Sequence, residues 1–263
     1  MREEIKRIYN DGNDIFGYSQ TYKTIDFYPI MLKDLHYQDL FYKIFARPKN
    51  YIPSVEILKA SYLKYIIFVL SILYETEDNA KSKIIELFSY ITRLDDKAFE
   101  IVYLDTGLQG WDGINIQIKI DNNVIFTEYD FDNIREIVLQ QNNLSVEYIE
   151  EYNPELEPVL EYTNKTTSDL TLADQIFTIA AIQKIDLKSL ENYTLFQFNN
   201  LMEKVLTLKE YDLYKPLLAS GQITLKNGGD VKNYFYHSKK SGRYDSILIG
   251  FDDFMGSNKD AFD

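Results

Sequence analysis

Hydrophobic positions along this chain follow a helical period at both ends and a period of two in the middle. From Met31 to Phe45, residues Leu32, Leu35, Leu40, Phe41, Ile44 and Phe45 recur at helical spacing. After Arg47-Pro48 and Ile52-Pro53, Ser54 stands where an N-cap belongs. The pattern there predicts one helix from Val55 through the apolar run Tyr65–Tyr74. A polar turn over Glu75–Lys81 precedes another helix carrying Ile84, Ile85, Leu87, Phe88 and Ile91. Ahead of these, Asn10-Asp11-Gly12-Asn13-Asp14 reads as a turn, and Tyr22–Ile30 as a short extended segment.

Between Phe99 and Thr127 the period drops to two. Ile101 and Tyr103 alternate first. Ile114, Ile116, Ile118 and Ile120 then point one way, and Asn115, Gln117 and Lys119 the other. A turn on Asp121-Asn122-Asn123 leads to Val124 and Phe126, which predicts an antiparallel hairpin. Asp130 is placed to cap the helix that follows, with Asp132 in its first turn and Phe131, Ile134, Ile137 and Val138 as its apolar stripe.

Residues 141–170 read as loop and short helix, broken by Pro154 and Pro158. Helices are expected over Leu172–Ile182 and Ser189–Leu208, with Thr194 capping an inner turn of the second. A separate short helix over Leu213–Ala219 should end at Gly221. Short strands are expected at Gln222–Leu225 and Ile247–Ile249, on either side of Gly228-Gly229, before an acidic tail. The expected fold is α+β, predominantly α-helical, with a central antiparallel β-hairpin. Its parts are a helical stretch 1–97, the hairpin 98–128, and a helical stretch 129–263, which one compact domain would also accommodate.

Charge narrows the function classes. Lys plus Arg number 28 against 41 Asp plus Glu, giving a net charge of −13. A chain this acidic repels phosphate backbones and anionic membranes unless it concentrates a basic patch. Lys239-Lys240 with Arg243 is too short a cluster to serve, so neither nucleic acid nor membrane is expected as a partner. With no cysteine, thiolate nucleophiles, disulfides and zinc–thiolate sites are excluded. The N-terminal stretch MREEIKRIYNDG has no apolar run after its charges, so no secretory signal is expected.

Candidate reaction centres are few. The two histidines, His36 and His237, lie far apart in sequence and leave a metal site dependent on carboxylates. His237, among Tyr234, Phe235 and Tyr236, is the better candidate base of the two, but the cluster favours a partly buried structural histidine over a catalytic one. Asn10–Asp14 has the composition of a cation loop but lacks the downstream glutamate. Asp95-Asp96, Glu150-Glu151, Asp252-Asp253 and Asp130 with Asp132 are acidic pairs; capping accounts for the last. Gly107, Gly110 and Gly113 are spaced GxxGxxG, but no Lys-Ser/Thr pair follows. No catalytic residue, cofactor or metal is expected, and an enzyme is the minority reading.

Five segments occur in order: IDFYPIMLKDLHYQDLF (Ile25–Phe41), ASYLKYIIF (Ala60–Phe68), YDFDNIREIVLQQNNL (Tyr129–Leu144), NYTLFQFNNLMEKV (Asn192–Val205) and YDLYKPLLASGQITLK (Tyr211–Lys226). Together they resemble proteins from the structural-gene blocks of tailed bacteriophages and prophages of Gram-positive bacteria, of the tail assembly chaperone-like kind. The resemblance implies a non-enzymatic protein that covers tail tube or tape-measure subunits before polymerisation. It implies the host cytoplasm as its location, or the virion for a structural component such as a connector or baseplate protein. An accessory enzyme or host-interaction factor is a third reading. Tyr 22 and Phe 16 against Trp 1 suit adaptable protein contacts, although an AT-rich genome also enriches tyrosine. The residues expected at a partner surface are Tyr18, Tyr22, Tyr37, Trp111, Tyr234 and Tyr236.

Overall fold

A computed structural model describes residues 11–108, 110–121, 124–165, 171–223 and 242–244. Helix α1 (Asp11–Phe16) leads into a hairpin of β1 (Gln20–Tyr22) and β2 (Ile25–Phe27). Helices α2 (His36–Phe45), α3 (Val55–Lys59), α4 (Tyr62–Leu73) and α5 (Glu77–Thr92) follow. Strands β3 (Phe99–Asp105), β4 (Ile114–Ile120) and β5 (Val124–Phe126) form an antiparallel sheet in that order. Then come α6 (Glu128–Gln141), α7 (Val146–Glu150), α8 (Glu157–Lys165), α9 (Leu172–Gln183), α10 (Leu187–Leu190) and α11 (Leu195–Ala219). The fold is α+β and dominated by helix, as the two periods predict.

Several boundaries differ from the sequence expectation, each for a local reason. Asp11–Asp14 lie in α1 rather than in a turn, and Gly17 at φ +70° ends that helix. Tyr22–Ile30 is not one extended segment. Lys23 and Thr24 both take positive φ, as a two-residue hairpin turn requires, and fold β2 back on β1. The predicted helix at Met31 begins at His36, behind a 3₁₀ turn at Leu32–Asp34.

The single helix expected over Val55–Leu73 is broken at Ala60. Ser54 caps α3 as predicted, but Ser61 caps a second start by accepting the Lys64 amide. Lys49 makes the break tolerable: its ammonium donates to the carbonyls of Leu58 (2.8 Å) and Ala60 (2.5 Å).

Asp130 is not the N-cap of α6. Thr127 caps it, and Asp130 sits at N3, the reciprocal half of a capping box. The same arrangement recurs at α11, where Thr194 and Gln197 box the true start of a helix that begins later than Ser189. Helix α11 then runs unbroken into the segment expected to be separate, accommodating the exposed Pro216 in its last turns. Gly221 closes it as predicted, with backbone bonds from Gly221 to Leu218 and from Gln222 to Leu217. Gln222 and Ile223 are not in a strand; Gly228, Gly229 and Ile247–Ile249 lie outside the described residues, as does the acidic tail.

Buried side chains from Phe27 to Val205 form one cluster. At its centre Phe131 of α6 stacks on Phe45 of α2 (5.6 Å) and Phe88 of α5 (5.9 Å), while Phe27 of β2 meets Phe88 edge-on at 6.4 Å. Each fully buried phenylalanine contributes roughly 1.5–3 kcal/mol by area removed from water. The start of α11 is sewn to the N-terminal half by backbone bonds from Leu32 to Tyr193 (2.9 Å) and from Leu195 to Ile30 (3.0 Å).

Candidate functional site

The apolar run in α4 is only half a core element. Tyr65, Ile66, Ile67, Val69 and Leu70 are buried, but Phe68, Ile72 and Leu73 retain 38%, 63% and 46% of their exposure. Phe68 lies where the far end of the three-stranded sheet stands off α4. Ile116, Ile118 and Ile120 are buried on the predicted inward face, whereas Ile114, next in the same alternation, is 47% exposed. Between that end of the sheet and α4 lies an open cleft of about 460 Å³.

Helix α4 supplies Lys64, Ile67, Phe68 and Ser71 to one wall. Glu77, Tyr103, Ile114 and Ile116 form the other, and Gly110 closes the end. Gly110 is the middle glycine of the GxxGxxG series and opens the turn Gly110–Gly113. Gly113 is required there, because a Cβ would come 2.5 Å from the Leu108 carbonyl oxygen.

The polar groups of the cleft are arranged unevenly. Lys64 is nine-tenths buried, with its ammonium 3.3 Å from Glu128, the first residue of α6. Glu128 Oε1 also accepts the Ile116 amide at 2.8 Å, so one carboxylate serves a lysine and a strand edge. At the opposite wall Lys81 pairs with Glu77 (2.8 Å) and lies 4.2 Å over the Tyr103 ring. The Tyr103 hydroxyl is sealed from water beside the Glu77 carboxylate. Burial, then the neighbouring Glu77 carboxylate, push its pKa well above the usual tyrosine value.

The predicted partner-surface residues fall in different places. Tyr18 is 61% exposed, with its ring 5.7 Å from that of exposed Phe16. Tyr22 is half-buried and its hydroxyl is engaged, donating to Asp130 and accepting from Asn133. Tyr37 is half-buried and stacks on Tyr90 at 4.1 Å. The backbone at Trp111 sits in the turn Gly110–Gly113 at the cleft's end; its side chain lies outside what the structure describes, as do Tyr234, Tyr236 and His237. His36 is exposed beside Tyr37. Arg243 makes a bidentate pair with Glu157 (2.6 and 2.9 Å), while Lys239 and Lys240 lie outside the described residues.

None of the cleft's polar residues is marked by a motif. One signal exists in retrospect: Lys64 is the one charge inside the run Tyr62–Leu70, and such a charge must find a partner or an opening. Among the described residues, no three His, Asp or Glu side chains gather as a metal site would require, and no helix is long and apolar enough to cross a membrane.

Residues 163–239 match the family model described as YomV second domain, a phage-type family name. The match covers less than a third of the chain and includes α9, α10 and α11. Of the five segments that carry the phage resemblance, Asn192–Val205 and Tyr211–Lys226 fall inside it. No curated protein and no solved structure matches the chain.

Proposed function

We propose that this is a phage-associated, non-enzymatic protein that binds tail tube or tape-measure subunits during tail assembly, in the manner of a tail assembly chaperone. The observation that carries the reading is the phage-type family match over 163–239. Support comes from exposed apolar side chains on several elements, among them Phe16, Tyr18, Phe68, Ile72, Ile114, Phe177 and Leu213. The net charge of −13 limits self-association and steers basic partners.

The test is co-purification of the tagged full chain from cells producing phage, with mass spectrometry of the finished particles. Capture of a tube or tape-measure protein together with absence from particles is the expected result. Failure to capture either protein overturns the reading. Presence in particles at fixed stoichiometry replaces it with that of a virion component.

A further inference from the structure

Strand β3 is an open edge of the three-stranded sheet. The Thr106 amide bonds to the Gly113 carbonyl, and the Asp121 amide to the Ala98 carbonyl. By the alternation of an antiparallel ladder, Val102 and Leu104 then bond to β4, while the backbone groups of Ile101 and Tyr103 point the other way. Those outward amides and carbonyls have no partner among the described residues. The ladder is continuous from Phe99 to Asp105, and β3 contains neither proline nor lysine. Bulge, proline and lysine, the usual guards of an edge, are all missing from it. The other edges are guarded: β5 is three residues long, and its outward Ile125 carbonyl accepts the Lys23 ammonium at 3.3 Å. Strands β1 and β2 are equally short.

We propose that β3 takes an extended segment of a partner protein as a fourth strand, paired to the backbone of Ile101 and Tyr103. An open ladder is met by an extended backbone, which offers a donor and an acceptor at strand spacing. On the outer face, alternate side chains of the guest lie beside half-buried Val102 and beside Leu104, 40% exposed, so β-branched residues suit them. The net charge of −13 favours a segment that is basic at its other positions. A second copy of the chain does not fit. Helix α5 lies under β3, with Phe88 6.2 Å from Phe99 and Lys81 4.2 Å over the Tyr103 ring. Edge-to-edge pairing sets two strands about 4.8 Å apart, whereas the two α5 helices beneath them need about 8–10 Å. A lone strand brings no helix. This docking mode rests on the reading of the protein as a binder of other proteins and assigns that role a place.

The probe is a short fluorescein-labelled peptide alternating lysine with valine, titrated into the full chain by anisotropy. Saturable binding is expected. Two further peptides carry N-methyl groups on one alternate set of amides or on the other. Only the set that faces β3 should matter, weakening binding about tenfold or more. Exchange of the lysines for glutamates should weaken it by a similar factor. Amide exchange followed by NMR should slow at Ile101 and Tyr103 when peptide is added, and stay as it was at Val102 and Leu104. Ile101→Pro removes an outward amide without touching a bond to β4, and should also weaken binding. If that variant lowers the melting temperature, the pair of methylated peptides carries the test on the unaltered chain.

Absence of saturable binding, equal binding by the two methylated peptides, or equal binding by the glutamate peptide overturns the proposal. So does binding that leaves exchange at Ile101 and Tyr103 unchanged. Protection of those amides that rises with protein concentration alone overturns it too, since the occupant is then a second copy. If wild type captures a tail protein and Ile101→Pro captures it equally, the edge site fails while the tail reading stands. Peptide docking without capture of any tail protein gives the reverse.

Discussion

The Tyr22 hydroxyl donates to Asp130 at 2.7 Å, joining the first hairpin to the N-terminus of α6 across 108 residues of sequence. Asp130 also takes the Lys23 ammonium at 2.7 Å, together with the amide and hydroxyl of Thr127. One carboxylate thus closes a capping box and holds a turn in which two non-glycine residues keep positive φ. Such a turn is costly by itself and persists because its surroundings fix it.

Asp130→Asn should cost about 2–4 kcal/mol in urea denaturation at neutral pH, and Tyr22→Phe about 1 kcal/mol. Burial alone would raise the Asp130 carboxyl, but hydrogen bonds from Lys23, Thr127 and Tyr22 outweigh it and hold the pKa below its ordinary value. The stability it contributes is complete above the unfolded carboxylate value of about 3.9 and is lost as pH falls through the lower folded value. The variant should therefore lose less stability than wild type over that acid interval. Tyr22, pushed up to about 12 by burial and by Asp130, should ionise late in an ultraviolet titration. Its contribution persists below about pH 10 and disappears as pH rises through the folded value.

Gly17 combines φ +70° with a close approach, since a Cβ there would meet Thr194 Cγ2 at 2.8 Å. Gly17→Ala should destabilise by about 1–3 kcal/mol. Thr194→Ser keeps the capping hydroxyl of α11 and removes the obstructing methyl, so the double variant should recover part of the loss. Thermal melts of the four proteins give the coupling, and additive losses would contradict this account of the contact.

Arg135 is buried in α6 with its guanidinium 3.6 Å over the Tyr62 ring. Nε donates to the Phe45 carbonyl at 2.8 Å and Nη2 to Glu150 at 2.9 Å. Lysine retains the charge but has neither the fork nor the plane. Arg135→Lys should cost about 2–4 kcal/mol in chemical denaturation, far more than an exposed arginine-to-lysine exchange.

Glu157 ties residues 242–244 to α8, accepting from Arg243 and from the Tyr244 hydroxyl at 2.6 Å. These bonds, the Arg243 pair first, keep its carboxyl below the ordinary value. Glu157→Gln should speed proteolysis near Arg243 at neutral pH. Wild type should approach the variant's rate as pH falls through the folded pKa of Glu157. Equal cleavage rates at neutral pH would show that the tie contributes little.

The sequence by itself determined the types of α4, α5, α9 and the strands β3, β4 and β5, the inward face of Ile116, Ile118 and Ile120, the Ser54 cap and the stop at Gly221. These follow from the chemistry of neighbouring residues: alternation, a hydroxyl at a helix start, and a glycine free to take positive φ. Tertiary structure decided the rest. Lys49 supplied partners for the broken end of α3, so the Val55–Leu73 pattern divided at Ala60. The cap of α6 fell on Thr127 because Asp130 was needed three residues on, within reach of Lys23 and Tyr22. Ile114 has the same alternation as Ile116 and a different fate, because β5 stops short and α4 stands off at the sheet's end. A hydrophobic period specifies which side chains share a face, but only the packing of distant segments specifies whether anything covers it.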